Sequence, residues 1–462
     1  MHFVTRLAID LDRRCRTHIR KRASVRGAPR LSGTIGALGV GIIVTLGTAM
    51  PTLANEVTER LSVGPGGVQG NLNSFCCHAL TGDGRFVAFS SVAGNLVAGD
   101  TSGLRDVFIR DLVSSTTVLV STNSKKATRS FSISSPLSPP EAPVVTPDGR
   151  YVAFLSTNDF STGVPFTATP YGSVGEVYVR DLIAGVTTWV SSNAFSLAFS
   201  NLSGTKFLVS YHPSISTDGR YVAFKTSFAD RAGITAIFRK DRVTDELVLI
   251  STNGIPQGNG LRAAVVDEIF GPEMSADGRF VAYGNRVNGT NFYSIHVWDA
   301  VAGTNYLISG SPAGVAQTNA HSYSPVFSAD GRYVAFISDA TNLVANPIAS
   351  GPHLYRRDLV ANVTELLDVS QGGAGMLADF IFEPPSLSAD GQWVAFTATY
   401  EGPTEVYVMP SAGGLPKRLT YDASRVGVVG WKMGADVPLF DNVRNSPAIE
   451  RVTVRGQQRN LP

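Results

Sequence analysis

Along most of the chain, apolar and polar positions alternate with a period of two, in short runs separated by Gly, Asp, Ser and Pro. Such alternation marks half-buried strands. One run recurs six times behind an Asp-Gly pair: GDGRFVAFSS at Gly82, PDGRYVAFLS at Pro147, TDGRYVAFKT at Thr217, ADGRFVAYGN at Ala276, ADGRYVAFIS at Ala329 and ADGQWVAFTA at Ala389. The aspartates Asp83, Asp148, Asp218, Asp277, Asp330 and Asp390 are spaced by 65, 70, 59, 53 and 60 residues. A degenerate seventh copy, GADVPLFDN at Gly434, lacks the turn glycine and places Asp436 46 residues further on. Two more alternating runs follow each copy in fixed order, such as DVFIRDL at 106–112 and TTVLVSTN at 116–123. A further segment leads into the next Asp-Gly, such as SYSPVFSADG at 322–331.

Asp-Gly between strands predicts a tight turn, since Gly accepts positive φ and Asp bonds its own backbone. Each repeat is therefore four short antiparallel strands. About seven repeats fill residues 55–462, without helical periodicity outside the N-terminal segment. Four-stranded units arranged around an axis make a β-propeller. The expected fold is all-β and seven-bladed, with six blades as the alternative. EVTERLSV at 56–63 matches an outermost strand, so this N-terminal strand is expected to complete the last blade, with 459–461 as its rival. That pairing would remove two exposed sheet edges.

The repeated phrase resembles the TolB-type, WD-repeat-like propeller family, over almost all of the chain after Ala54. The resemblance implies the fold. It says little of function, because such propellers bind proteins, bind sugars or accompany enzymes. The chain shows no α/β domain of the kind TolB carries, no Gly-x-Ser-x-Gly elbow and no phosphate-cradling glycine loop, so neither a full TolB role nor a propeller-bearing serine peptidase is expected.

Composition adds the compartment. Residues 1–54 hold nine Lys/Arg and two Asp, and Ile35–Ala49 is apolar and Gly-rich before Pro51 and the small exit Thr52-Leu53-Ala54. A basic region, an apolar stretch and small residues describe a secretory signal. The expectation is a cleaved signal at 1–54 and a periplasmic or extracellular protein, with a membrane anchor at 31–54 as the alternative. The remainder keeps 30 of the 39 basic and 35 of the 37 acidic residues, a formal charge of −5. A mildly acidic body gives no reason to expect nucleic acid. No later stretch is long and apolar enough to span a membrane, and a monomer is expected.

Six turn aspartates spread around a ring cannot converge on one substrate, so they read as structural. Arg110-Asp111, Arg180-Asp181 and Arg357-Asp358 are expected to close strands and hold turns. Phe89, Phe154, Phe224, Tyr283, Phe336 and Phe396 are the expected inter-blade core. Candidate function lies where the repeats differ. Reading back from each Asp-Gly gives His78, Glu141, His212, Glu273 (or Glu268), His321 and Glu383, at the expected mouth of the central channel. Their offsets from the turn aspartate are 5, 7, 6, 4, 9 and 7 residues, so they do not form one clean ring.

Three imidazoles (His78, His212, His321) with carboxylates could hold a divalent metal or move protons. Cys76 and Cys77 are the only cysteines beyond residue 54; adjacent cysteines seldom bridge, and a vicinal disulfide or two thiols are the readings. Asp100–Asp106 has some flavour of a calcium loop without its regular acidic alternation. The insertions 157–175 and 254–272, rich in Gly, Pro, Thr and aromatics, belong on one rim, where loops make contacts. The expected role is a non-enzymatic module binding a protein or a glycan through one face, with no cofactor. The alternative is a metal-dependent, polysaccharide-lyase-like propeller enzyme using the channel-mouth His and Glu.

Overall fold

Strand succeeds strand in the computed structural model, which describes residues 57–81, 84–100, 105–122, 143–157, 175–192, 208–228, 235–251, 271–287, 292–345, 351–368, 384–388, 391–398 and 405–419, the strand backbones 255–256, 262–263, 426–431, 438–442 and 450–453, and a few isolated positions. Six four-stranded antiparallel sheets form, each a meander in chain order. Blade 1 is Ser74–Leu80, Phe86–Ser91, Asp106–Asp111 and Thr116–Leu119; blade 2 is Val144–Val145, Tyr151–Thr157, Gly175–Asp181 and Val186–Trp189. Blade 3 is Leu208–Ile215, Tyr221–Phe228, Thr235–Asp241 and Leu247–Leu249; blade 4 is Glu273–Met274, Phe280–Arg286, Tyr293–Asp299 and Thr304–Leu307. Blade 5 is Ser322–Phe327, Tyr333–Ser338, His353–Asp358 and Val363–Leu366; blade 6 is Ser386–Leu387, Trp393–Ala398, Glu405–Pro410 and Lys417–Arg418. The first strands of consecutive blades lie against one another, so they are the innermost.

The protein is an all-β propeller with six complete four-stranded blades among the described residues, a count that fits the six-bladed alternative. Six strands remain among the described residues, and Ile255–Pro256 pairs with Arg262–Ala263. Val426–Trp431 pairs with Pro438–Asn442, and Val57–Arg60 pairs with Glu450–Thr453. Val426–Trp431 also lies against the first strands of blades 6 and 1, and Pro438–Asn442 against Glu450–Thr453. Residues 58–453 form one compact unit. Residues 1–56, which include the expected signal at 1–54, lie outside the described residues, as do 459–461. No described helix is long and apolar enough to cross a membrane.

The core sits between blades, as the repeat implies. Phe89, Phe154, Phe224, Tyr283, Phe336 and Phe396 are buried, and each stacks within its own blade on a ring of the third strand: Phe108, Tyr178, Phe238, His296, Tyr355 and Tyr407, with centroids 5.5–6.1 Å apart. Offset stacking of this kind adds to the area each ring buries.

The Asp-Gly turn has two jobs. In blade 3, Asp218 Oδ1 accepts bonds from Ser216 Oγ (2.6 Å) and the Arg220 amide (2.9 Å). Gly219 has φ +72, a conformation that L side chains rarely adopt. A Cβ there would also stand 2.2 Å from Tyr151 of blade 2. The same meeting occurs between Gly149 and Phe86, Gly278 and Tyr221, and Gly391 and Tyr333. Phe86, Tyr151, Tyr221 and Tyr333, each following Asp-Gly-Arg, thus pack against the next blade's turn glycine, so the motif joins blades as well as strands.

The arginine of the motif pairs with the aspartate ending the third strand: Arg85–Asp111, Arg150–Asp181, Arg220–Asp241, Arg279–Asp299 and Arg332–Asp358, at 2.7–2.8 Å. Each of these aspartates also caps the following turn, as Asp111 accepts the Val113 amide at 2.8 Å. The sequence expectation for the Arg-Asp dipeptides holds for the aspartate. Its ion-pair partner, however, is the distant motif arginine, while Arg110 and Arg180 bond the turn carbonyl and a threonine of the fourth strand. Blade 6 loses both halves together, with Gln392 and Pro410 in the two positions.

Candidate functional site

In a meander, the connections from first to second and from third to fourth strand share one end of the blade. The others share the opposite end. The first set is short: five residues each at 81–85, 146–150, 216–220, 275–279, 328–332 and 388–392, and four to six between third and fourth strands. The second set runs from six residues, at 229–234, to 24, at 120–143. Among the described candidates, His78, His212 and Glu273 lie in innermost strands and His321 lies just before one.

The innermost strands differ in a regular way. Those of blades 1, 3 and 5 are six to eight residues long and bulged, whereas those of blades 2, 4 and 6 have two residues each. In blade 3 the bulge holds His212-Pro213 opposite Phe224; in blade 5 it holds Ser324-Pro325 opposite Phe336. His212 and Ser324 adopt φ 51 and 54, inside strands. Non-glycine residues held there cost about 1–3 kcal/mol each and cluster at functional sites. Their buried polar atoms, His212 Nδ1 and Ser324 Oγ, have no hydrogen-bond partner among the described residues. In blade 1 the bulge spans Cys76, Cys77 and His78, whose side chains lie outside the described residues.

His212 packs against blade 4: a Cβ on Gly271 would stand 2.5 Å from His212 Cβ. Its ring lies 5.0 Å from that of Tyr211, whose other neighbour is the fully buried Lys225, with Nζ 5.4 Å from the ring centroid. Burial, then the Lys225 charge, brings the imidazole down to about 3. Lys225 occupies a slot held elsewhere by Ser90, Leu155, Gly284, Ile337 and Thr397. Glu273 opens the innermost strand of blade 4, and burial pushes its carboxyl up to about 7.

His321 lies elsewhere, just before the innermost strand of blade 5. Its ring stacks on Tyr293 at 5.6 Å and tilts against Phe292 at 5.0 Å, both from blade 4. The Asp339 amide donates to the His321 carbonyl at 2.9 Å. Burial raises the Asp339 carboxyl, opposed by His321 and His353. Below it, His353 Nδ1 and Asp368 Oδ2 form a fully buried pair at 2.9 Å, and Asp368 Oδ1 accepts the Leu354 amide at 3.1 Å.

The structure thus sets His212 beside the segment leading into Glu273 and groups His321 with aromatic rings and Asp339. Glu141, Glu268 and Glu383 lie outside the described residues. So do residues 101–104 of the calcium-like segment. Among the described residues no group of three or more His, Cys, Asp and Glu side chains is placed to hold a metal ion. Sequence reading missed Lys225, Asp339, Phe292, Tyr293 and Tyr323. Lys225 stands out in an alignment of the repeats with one another; the others carry no such mark.

No protein-family model matches the chain, and no curated protein does. Solved structures similar to it include propellers. TolB from Acinetobacter baumannii is 18% identical, with TM-score 0.37, over 72% of this chain and 64% of that one. The chain therefore spans less than two thirds of that TolB. An oligogalacturonate lyase in complex with manganese is 11% identical, with TM-score 0.47, over 86% of this chain and 92% of that one. The β-propeller domain of the Trilobed protease from Pyrococcus furiosus is 14% identical, with TM-score 0.42, over 80% and 92%. At such identities the likeness concerns the fold.

Proposed function

We propose that the chain is an exported propeller that carries no chemistry of its own and binds a protein or a glycan through its long-connector end. Residues 1–54 direct it to the periplasm or outside the cell, and Val57–Arg60 helps complete a last blade with 426–453. The observation that carries the binding role is the difference between the two ends. One end repeats the same turns, caps and ion pairs blade after blade. The other has connectors of six to 24 residues, and it gathers the strained residues His212 and Ser324, whose buried polar atoms have no hydrogen-bond partner among the described residues. Variable connectors on a rigid scaffold are where binding specificity is carried.

The test replaces connector 158–174 with the six-residue length found at 229–234, 287–292 and 399–404. Capture of partner protein or glycan should fall at least tenfold while the unfolding midpoint stays unchanged. Unaltered capture would refute the assignment of this end. Elemental analysis checks the enzymatic alternative. Stoichiometric divalent metal, lost in both His212→Ala and His321→Ala, would replace the binding role with a metal-dependent one.

A further inference from the structure

Blade 5 ties its two outer strands together with a buried imidazole and carboxylate where four other blades use a serine. In blades 1 to 4 an amide near the start of the third strand donates to a serine hydroxyl just past the fourth: Val107 to Ser121 Oγ (3.2 Å), Val177 to Ser191 Oγ (3.0 Å), Ile237 to Ser251 Oγ (2.9 Å) and Ile295 to Ser309 Oγ (2.8 Å). In blade 5 the Leu354 amide donates to Asp368 Oδ1 at 3.1 Å. Asp368 Oδ2 lies 2.9 Å from His353 Nδ1, and both side chains are wholly buried. A serine brings no charge into this slot, whereas an aspartate does. The couple sits at the long-connector end. Ser338 stands opposite His353 in the ladder, and Asp339 follows it. Tyr355, two residues on from His353, donates to the Ala340 carbonyl at 2.7 Å. Leu354 and Leu367 share an apolar cluster with Leu387, Phe396, Tyr407 and Met409 of blade 6. The titratable groups around the couple are therefore Asp339, Tyr355 and Tyr407, with His321 beyond Asp339.

We infer that His353 and Asp368 form a proton-dependent clasp: the folded chain keeps one shared proton on the couple, and loss of that proton at alkaline pH loosens the third and fourth strands of blade 5. Imidazolium with carboxylate, or imidazole with carboxylic acid, carries no net charge. Imidazole with carboxylate is negative, and an uncompensated charge in a site without exposure is costly. The half-buried Asp339 carboxyl nearby adds to that cost. Burial raises Asp368 above its ordinary 3.8, with His353 opposing. A raised carboxyl holds its proton in the folded chain after the unfolded chain has released it, so its contribution to stability is lost as pH rises through the folded value. The two protons belong to the couple rather than to either residue. The clasp does not depend on what the propeller binds.

The experiment is amide hydrogen exchange of the full-length chain at pH 5 and pH 8, read by mass spectrometry and corrected for the intrinsic rate at each pH. Segment 353–368 is compared with 236–251, where Ala236 and Ser251 hold the equivalent places without a titratable group. From pH 5 to pH 8, protection of 353–368 should fall at least tenfold further than that of 236–251. Asp368→Ser, which installs the serine of the other blades, should abolish this excess. His353→Gln should abolish it too, and it serves as the test if the serine variant does not fold. Asp339→Asn should keep it. The clasp is overturned if the two segments of the parent lose protection equally, or if the excess survives in Asp368→Ser or His353→Gln. It is also overturned if Asp339→Asn alone removes the excess, which would assign the proton to Asp339.

Discussion

The carboxylates at the two ends of the blades are shifted in opposite directions. At the tight-turn end, the guanidiniums of Arg85, Arg150, Arg220 and Arg279 hold Asp111, Asp181, Asp241 and Asp299 below the usual carboxylate range. Asp358 is lowered too, its bonds to Arg332 and the turn amides outweighing burial. At the long-connector end, burial raises Glu176, Glu273, Asp339 and Asp368. One end spends its charged groups on turns that repeat from blade to blade. The other keeps carboxylates in poorly solvated places without full compensation, which is a configuration associated with sites rather than with scaffolding.

The tight-turn end should be the more fragile to steric change. Gly219→Val forces a β-branched residue to φ +72 and drives it into the Tyr151 ring. We expect a loss of about 3 kcal/mol or more, read from denaturant midpoints, because backbone strain and overpacking act together. Gly84→Val is the internal comparison. Gly84 has nearly the same φ, +71, but a Cβ there meets nothing within 4 Å. Its cost should be about 1–2 kcal/mol, from the backbone alone. Equal losses at the two sites would break the argument that these glycines join blades.

That much of the fold was legible because an Asp-Gly turn and a period of two are local signals, and six copies corroborate one another. The motif's reach into the next blade was not legible, since Phe86 meets Gly149 across 63 residues of sequence. The ring slot of blade 4 was also hidden: His296 takes the place of Phe or Tyr, stacked 6.0 Å from Tyr283. The site was legible in part. Counting back from Asp-Gly assumes innermost strands of equal length, but these have two residues in some blades and up to eight in others. Similar offsets therefore fall at different heights. His212 lands inside a bulge, Glu273 at a strand's start and His321 before one. Phe292 and Tyr293 reach His321 from another blade, which no count along the chain reveals.

The opposite shifts give a pH test that sharpens the comparison. Asp241 has a folded pKa below its unfolded one, so the unfolded chain binds the proton first as pH falls. Its stabilisation is present above the usual range near 3.8 and is lost as pH drops below it. Glu273 behaves the other way. It rises from 4.5 to about 7, so the folded chain holds the extra proton between those values. Stability from this site is greatest below 4.5 and is lost as pH rises through about 7. Glu273→Gln should therefore gain stability over the parent at pH 8, on the order of 1 kcal/mol, with the gain shrinking towards pH 5. Urea unfolding at the two pH values measures it. A gain of the same size at both would show that Glu273 is not held protonated by burial.

The smallest effect concerns the tips of the tight-turn end. Val113, Ile183, Val243, Val301 and Val360 occupy one equivalent position, two residues after the capping aspartate, and are 74–79% exposed. Each caps its turn through a backbone amide bonded to that aspartate, as Val301 N–H donates to Asp299 Oδ1 at 2.9 Å. The side chain has no part in that bond. Substitution at such a surface position should change stability by less than about 0.5 kcal/mol. Val301→Lys is thus expected to leave the unfolding midpoint where it was and, if the long-connector end is the binding end, to leave capture of any partner unchanged. A double variant, Val113→Lys with Val301→Lys, places the test on two blades, 1 and 4. Loss of capture in the double variant would move the binding surface to the end with the short turns, and the difference between the two ends would then have to be explained by folding alone.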